Sequence, residues 1–220
     1  GLLTVATVDA LLQPLSGDVI SIPLALLASA ARLTVAYLIT LTWSIPLAIY
    51  IARNERASRA IVPITEVLAS VPAAALFPAI ILFVVVPTGG LELGSIILLM
   101  TGMQWYLLFN LIAGARTIPS DLLAAAEVHG VKGWMLWKRV YLPGMMPSLL
   151  TGSITAWGGG WNALIISEYL NFGGSTYHVF GAGYLIDKAS VERNAGLLLL
   201  PIIAMVASIY ALNTLFFTPP

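Results

Sequence analysis

Charged residues occur in clusters along the chain, and the stretches between them are long and apolar. Residues 33–52, 67–91, 93–115, 140–167 and 194–220 contain no Asp, Glu, Lys or Arg. A helix rising about 1.5 Å per residue needs about 20 residues to cross a hydrocarbon layer roughly 30 Å thick, and each stretch meets that length. The runs are continuously apolar and do not alternate with a period of two, so helices are predicted and not the strands of a barrel. The expected spans are 30–53, 61–86, 93–115, 144–167 and 196–217. The predicted fold class is therefore an all-α membrane protein, a bundle of about five transmembrane helices. The second span is unusual. Pro63, Pro72 and Pro78 each remove a backbone donor, which predicts a broken or bent helix. Such a stretch is either a kinked packing helix or a wall of a transport path.

Composition narrows the class. Of 220 residues, 59% are hydrophobic and 9% charged, where an ordinary soluble domain has roughly a quarter charged. Ten basic and ten acidic residues cancel, so no bulk field draws the chain to nucleic acid. The absence of cysteine excludes a disulfide framework and any thiolate site. Lipid is the expected surrounding.

Orientation follows from Lys and Arg near the span ends. Arg53, Arg56 and Arg59 follow the first expected span, and Arg116, Lys132, Lys138 and Arg139 follow the third. On the opposite side stand Lys188 and Arg193, with Asp9, Asp18, Glu92, Asp187 and Glu192 expected in outer segments or solvated loops. The 54–60 and 116–143 loops are thus predicted to be cytoplasmic, in a multi-pass protein of the cell inner (plasma) membrane. Residues 1–29 become an outer-face segment interrupted by Pro14 and Pro23, residues 30–217 the membrane domain, and 169–195 an outer loop. With the amino end outside, an upstream segment, one more span, is expected beyond this chain. No internal repeat of 20–50 residues is visible.

The segment from Arg116 to Pro147 carries the most specific pattern. Pro119, Ser120 and Asp121 predict a helix start, with short oxygen-bearing side chains available as caps. Leu122 to His129 is a helix-forming run, and Gly130 suits the left-handed residue that ends it. Val131 to Tyr141 resumes an apolar stripe interleaved with Lys132, Lys138 and Arg139, and Leu142-Pro143 is expected to break it before the fourth span. This describes a helix–turn–helix lying along the inner membrane surface.

The spacing of that segment, Ala125-Ala126, three residues, Gly130, nine residues, Val140, one residue, Leu142-Pro143, resembles the "EAA" loop of ABC importer permeases. Over roughly residues 25–215 the chain is similar to the nitrate/sulfonate/taurine branch of that family. The further matches are Arg32, Ser70-Val71-Pro72 with Pro78, Ile166-Ser167-Glu168-Tyr169-Leu170, and Gly181-Ala182-Gly183-Tyr184-Leu185-Ile186. One departure stands out: Ala124 occupies the position of the family's leading Glu, and the nearest acid, Glu127, comes three residues later.

The resemblance implies a permease subunit of an ATP-driven importer for a small, anionic solute. It implies a second permease copy or half, cytoplasmic ABC ATPase subunits, and an extracytoplasmic solute-binding protein as partners. Residues 117–143 would be the coupling loop, with Ala124, Ala125, Ala126, Glu127, Gly130, Leu142 and Pro143 at the ATPase contact. The chain is then not an enzyme and holds no cofactor, ATP being bound by the partner. In agreement, it has no G-x-x-x-x-G-K-[ST] phosphate loop.

Polar groups in or near the spans are candidates for function, because ionisable residues there are costly. Arg32 either anchors at headgroups or offers its fork to an anionic solute or a carboxylate. Glu66 either snorkels and bonds to a neighbouring helix or lines a path. Glu168 is equally suited to holding helices together and to meeting solute. Gly152, Ala156 and Gly160 form a small-residue stripe, and Trp157, Gly160, Trp161 and Asn162 are read as helix interface or pore lining. His129 and His178 lie on opposite sides, so no metal pair is expected, and no catalytic constellation is visible. The alternative class is a self-sufficient secondary transporter or channel, which predicts more intramembrane ionisable groups and inverted repeats. An intramembrane enzyme or a purely structural membrane protein leaves the loop spacing without a role.

Overall fold

The computed structural model describes residues 17–192 and 195–216, and most of the described chain is helical. A 3-10 turn, Gly17–Ser21, leads into α1 (Ile22–Arg53). The helix begins well before residue 30. Pro23 does not interrupt it but occupies its first turn, where a missing N–H would have no partner in any case. The expectation about Pro14 lies outside the described residues. Asn54 ends α1 and caps α2 (Glu55–Ala69), its side-chain oxygen accepting from the N–H groups of Arg56 and Ala57 at 3.0 and 3.1 Å.

The second expected span is broken, as its prolines predict. Pro63 is accommodated inside α2, the helix stops at Ala69, and Ser70-Val71-Pro72 separates it from α3 (Ala73–Thr88). Within α3 a π turn, Ile81–Val85, lies directly before Val86-Pro87. The same device occurs before Leu142-Pro143. The run that starts at Gly133 passes through a π turn, Trp137–Tyr141, and continues without interruption into α6 (Leu142–Glu168). The expected break at Leu142-Pro143 is therefore corrected. A proline ring crowds the carbonyl four residues back, here that of Arg139 or Phe83. Widening the preceding turn moves that carbonyl aside. The N–H ahead of each proline accordingly bonds five residues back, Leu142 to Trp137 and Val86 to Ile81.

Between α3 and α6 lie α4 (Leu91–Arg116) and α5 (Ser120–Val128). Two corrections concern the outer segments. Glu92 is not in a loop but in the first turn of α4. The 169–195 stretch is not a plain loop: it holds a β-hairpin, β1 (Tyr169–Phe172) with β2 (Ser175–His178), followed by α7 (Ala182–Val191), which contains Asp187. Among the described residues the fold is thus helical with one small antiparallel ribbon. Gly173 and Gly174, at φ 61° and 79°, make the two-residue turn that matches strand twist. The last helix is α8 (Ala195–Phe216).

Two described helical stretches, Val19–Arg53 and Leu91–Arg116, are long and apolar enough to cross a membrane, and α2 with α3 adds a third if the pair counts as one broken span. α6 has the length, but its Trp-Gly-Gly-Gly-Trp-Asn centre dilutes its hydropathy. In α8 the apolar stretch is Leu198–Thr214.

The chain divides into two compact units. One comprises Gly1–Ala36, Ala73–Leu99 and Gly160–Pro220, the other Tyr37–Pro72 and Met100–Gly159. The first has a core of Ile80, Ile81, Val85, Leu91, Leu98 and Leu170, and a smaller one of Ile22, Ala25 and Leu185. The core of the second gathers Ile49, Leu108, Leu111, Ala126, Tyr141 and Met145.

In the second unit α4 and α6 run antiparallel at close range. A Cβ on Gly114 would lie 2.5 Å from Ser148 Cβ, and one on Gly152 would lie 2.9 Å from Asn110 Cβ. One on Gly159 would meet the Gly102 carbonyl and the Tyr106 ring. Neighbouring Gly158 has open space at the same position. This contrast sets a test. Gly159→Ala should lower stability by about 1–3 kcal/mol through overpacking. Gly158→Ala should raise it by up to about 1 kcal/mol through helix propensity. Thermal unfolding of the two variants in the same detergent reads the difference, and equal midpoints would remove the tight contact.

Candidate functional site

The loop after α4 folds from local signals. Pro119, at φ −59° and ψ 135°, precedes the first turn of α5, and Ser120 is the first helical residue; neither it nor Asp121 caps by side chain, a correction to the expected start. Asp121 instead places its charge in the first turn, where the helix dipole favours it. At the other end Gly130 takes φ +71°. Its N–H bonds to the Glu127 carbonyl at 3.0 Å and that of Val131 to the Ala126 carbonyl at 2.8 Å, the paired closure of a left-handed helix end.

Of the small residues on α5, Ala126 turns into the core beside Ile118, Val140 and Tyr141. Ala124, Ala125 and Glu127 are exposed, as are Leu122 and Val128. Val128 is 83% exposed, far beyond what a helix packed on both sides would leave. Leu142 is half-buried and Pro143 exposed. Beside α5 opens a cleft of about 500 Å³, lined among others by Arg53, Ala124, Glu127, Lys132 and Tyr141. The Arg53 guanidinium stands 6.0 Å from the centre of the Tyr141 ring. Burial pushes the Tyr141 phenol above its ordinary value against the opposing charge of Arg53, so the hydroxyl stays neutral. Arg116, closing α4, donates to Ser58 Oγ of α2.

A second constellation lies in the other unit, around Glu168 at the end of α6. Its side chain is fully buried, and both oxygens are engaged. Oε1 accepts from Ser29 Oγ at 2.6 Å and from Arg32 Nη1 at 2.7 Å; Oε2 accepts from the Gly183 N–H at 2.8 Å. Ser29 Oγ in turn accepts from the Ala182 N–H at 2.9 Å. Arg32 is buried too, and four of its five N–H donors are engaged. Nε and Nη2 hold the two oxygens of Glu92 at 2.7 and 3.1 Å, and Nη2 also reaches the Phe180 carbonyl at 2.8 Å. Gly181 and Gly183 have no room for a side chain here: a Cβ on Gly181 would run into the Glu168 carboxylate, and one on Gly183 would lie 2.8 Å from Ile165 Cα.

The structure thus brings Arg32 and Glu168 together and adds Ser29, Glu92, Gly181 and Gly183, which sequence reasoning did not single out as partners. Ser29 carried a usable signal: three residues ahead of Arg32, it shares a helix face with it. The other candidates are placed separately. Glu66 is exposed in the last turn of α2 and forms no ion pair among the described residues. Trp157 is half-buried, its ring centre 6.0 Å from that of Tyr37. Gly160 and Trp161 are buried and Asn162 is exposed.

Residues 44–218 match the family model described as "Binding-protein-dependent transport system inner membrane component". Individual relatives agree. The chain is 32% identical over 56% of its length to the Escherichia coli (strain K12) "Putative aliphatic sulfonates transport permease protein SsuC", covering 43% of that protein. It is 26% identical over 74% of its length to the taurine transport system permease protein TauC of the same organism, covering 56% of it. To the nitrate import permease protein NrtB of Leptolyngbya laminosa it is 28% identical over 74% of its length, covering 54% of that chain. The chain therefore spans about half the length of these curated relatives. With the family pattern running through most of its length, the chain belongs to the inner membrane components of binding-protein-dependent transport systems.

Proposed function

We propose that the chain is the permease subunit of an ATP-driven importer for small oxyanions of the sulfonate, taurine or nitrate type. A cytoplasmic ATPase drives it through the 120–143 loop. The observation that carries the reading is α5. It is a short helix with small exposed residues, Ala124 and Ala125, fixed at its end by Gly130, inside the family-matched region. Small side chains let such a helix seat closely in a partner's groove. The chain's spans, about five of them, would enclose the path with those of a second copy or half. An extracytoplasmic binding protein would deliver the solute, and ATP would be held by the ATPase.

Anionic cargo is supported by the names of the relatives, whose solutes share negatively charged oxygens. Arg32 is not proposed as the cargo's contact. Two carboxylates and a carbonyl already take four of its five N–H donors, so it serves as a clamp between helices.

The test is reconstitution with the cognate ATPase and binding protein in proteoliposomes. Uptake of labelled taurine, an alkyl sulfonate or nitrate should require ATP inside and binding protein outside. Uptake by the chain without ATPase and nucleotide would replace this reading with a self-sufficient transporter or channel.

A further inference from the structure

The cleft beside α5 carries charge that the chain does not neutralise. Arg53, from the last turn of α1, and Lys132, just after α5, both line it, and Glu127 is its acidic wall. Among the described residues none of the three forms an ion pair. The lining therefore has an excess of one positive charge. Ala124 contributes only a methyl group to the lining, which leaves the space open. The Tyr141 ring lies against Arg53 and limits the positions its guanidinium explores.

We propose that this cleft is a carboxylate socket: it receives an acidic side chain of the cytoplasmic ATPase subunit, which pairs with Arg53 and Lys132. The proposal rests on the reading of α5 as the ATPase seat. Ala124 and Glu127 belong both to that helix and to the cleft lining, so a partner seated on this face of α5 covers the cleft. Glu127 can balance only one of the two cations, so covering Arg53 and Lys132 without supplying negative charge would strand a positive charge out of water, which is costly. A partner carboxylate satisfies both, and charge complementarity of this kind sets register and choice of partner. Arg53 offers a planar fork and Lys132 a point charge, so one carboxylate can accept from both.

The experiment uses the full transporter in nanodiscs. Carbodiimide, which joins an amine to a carboxylate at zero length, should link Lys132 to an Asp or Glu of the ATPase, read by mass spectrometry. The Arg53→Gln/Lys132→Gln variant should bind the ATPase at least tenfold more weakly, and its affinity should fall less steeply with salt than that of the wild type. Ala124→Glu, which places a carboxylate in the socket, should weaken binding more than Ala124→Gln of the same size. Unchanged thermal unfolding confirms that the variants fold. No such crosslink together with wild-type affinity in the double variant would overturn the socket. So would a crosslink or affinity loss that appears only in nanodiscs containing anionic lipid, since a headgroup would then be the occupant. A disulfide crosslink from Ala125→Cys to the ATPase separates the two readings. If it forms while the socket tests fail, the seat on α5 stands and only the socket falls; if it too is absent, the seat itself is lost.

Discussion

Glu168→Ala should destabilise the protein by about 3–5 kcal/mol, the usual cost of breaking a buried ion pair by removing one partner. The carboxylate is fully buried and accepts from Ser29, Arg32 and the Gly183 backbone. Its removal leaves three donors unpaired, one of them charged. Glu92→Ala is the internal comparison. Its carboxylate also pairs with Arg32, but its side chain is 58% exposed. Water can replace that contact, and the loss should stay near or below about 1 kcal/mol. Thermal unfolding in detergent and the yield of folded protein in the membrane both read this difference. A second comparison checks the cause. Arg32→Met combined with Glu168→Leu removes both charges and should recover more than half of the loss, because an apolar pair leaves no stranded charge. Equal midpoints for Glu168→Ala and Glu92→Ala would show that burial does not govern this cluster.

The contrast between legible and hidden features follows from what each depends on. The end of α5 at Gly130 and the break at Ser70–Pro72 depend on backbone preferences of single residues, so the sequence alone indicates them. The effect of a proline is less local. Leu142-Pro143 passes without a break because the turn ahead of it widens and the N–H of Leu142 bonds to Trp137, a choice that the residue types do not announce. Pro23 illustrates the same point from the helix start. Acidic residues mislead in another way. Glu92 reads as a solvated loop residue, and its side chain is 58% exposed, yet it stands in the first turn of α4 and accepts from two nitrogens of Arg32. Gly181 and Gly183 fall in the expected 169–195 outer loop, whereas their lack of a Cβ is what admits the Glu168 carboxylate. The Gly173-Gly174 turn between Tyr169–Phe172 and Ser175–His178 carried a hairpin signal that the polar, outer-loop setting obscured.

Gly130→Ile should abolish most uptake, by at least tenfold, while the subunit still inserts and the ATPase still hydrolyses ATP. At φ +71° a β-branched residue is strained by an amount of order 1–3 kcal/mol. A Cβ at Gly130 meets nothing within 4 Å, so collision with a neighbour contributes little. The strain is relieved only by leaving the left-handed conformation. That opens the bonds from Gly130 to Glu127 and from Val131 to Ala126 and re-aims α5 together with Ala124, Ala125 and Glu127. Asparagine tolerates the left-handed region far better than isoleucine, so Gly130→Asn should keep most of the transport. The measurement is ATP hydrolysis and solute uptake from the same proteoliposomes. Hydrolysis that proceeds without uptake in Gly130→Ile, with uptake regained in Gly130→Asn, ties the loss to the backbone conformation that aims α5. Normal uptake in Gly130→Ile would detach α5 from energy transfer, and equal losses in both variants would shift the cause from backbone conformation to the surface that position 130 presents.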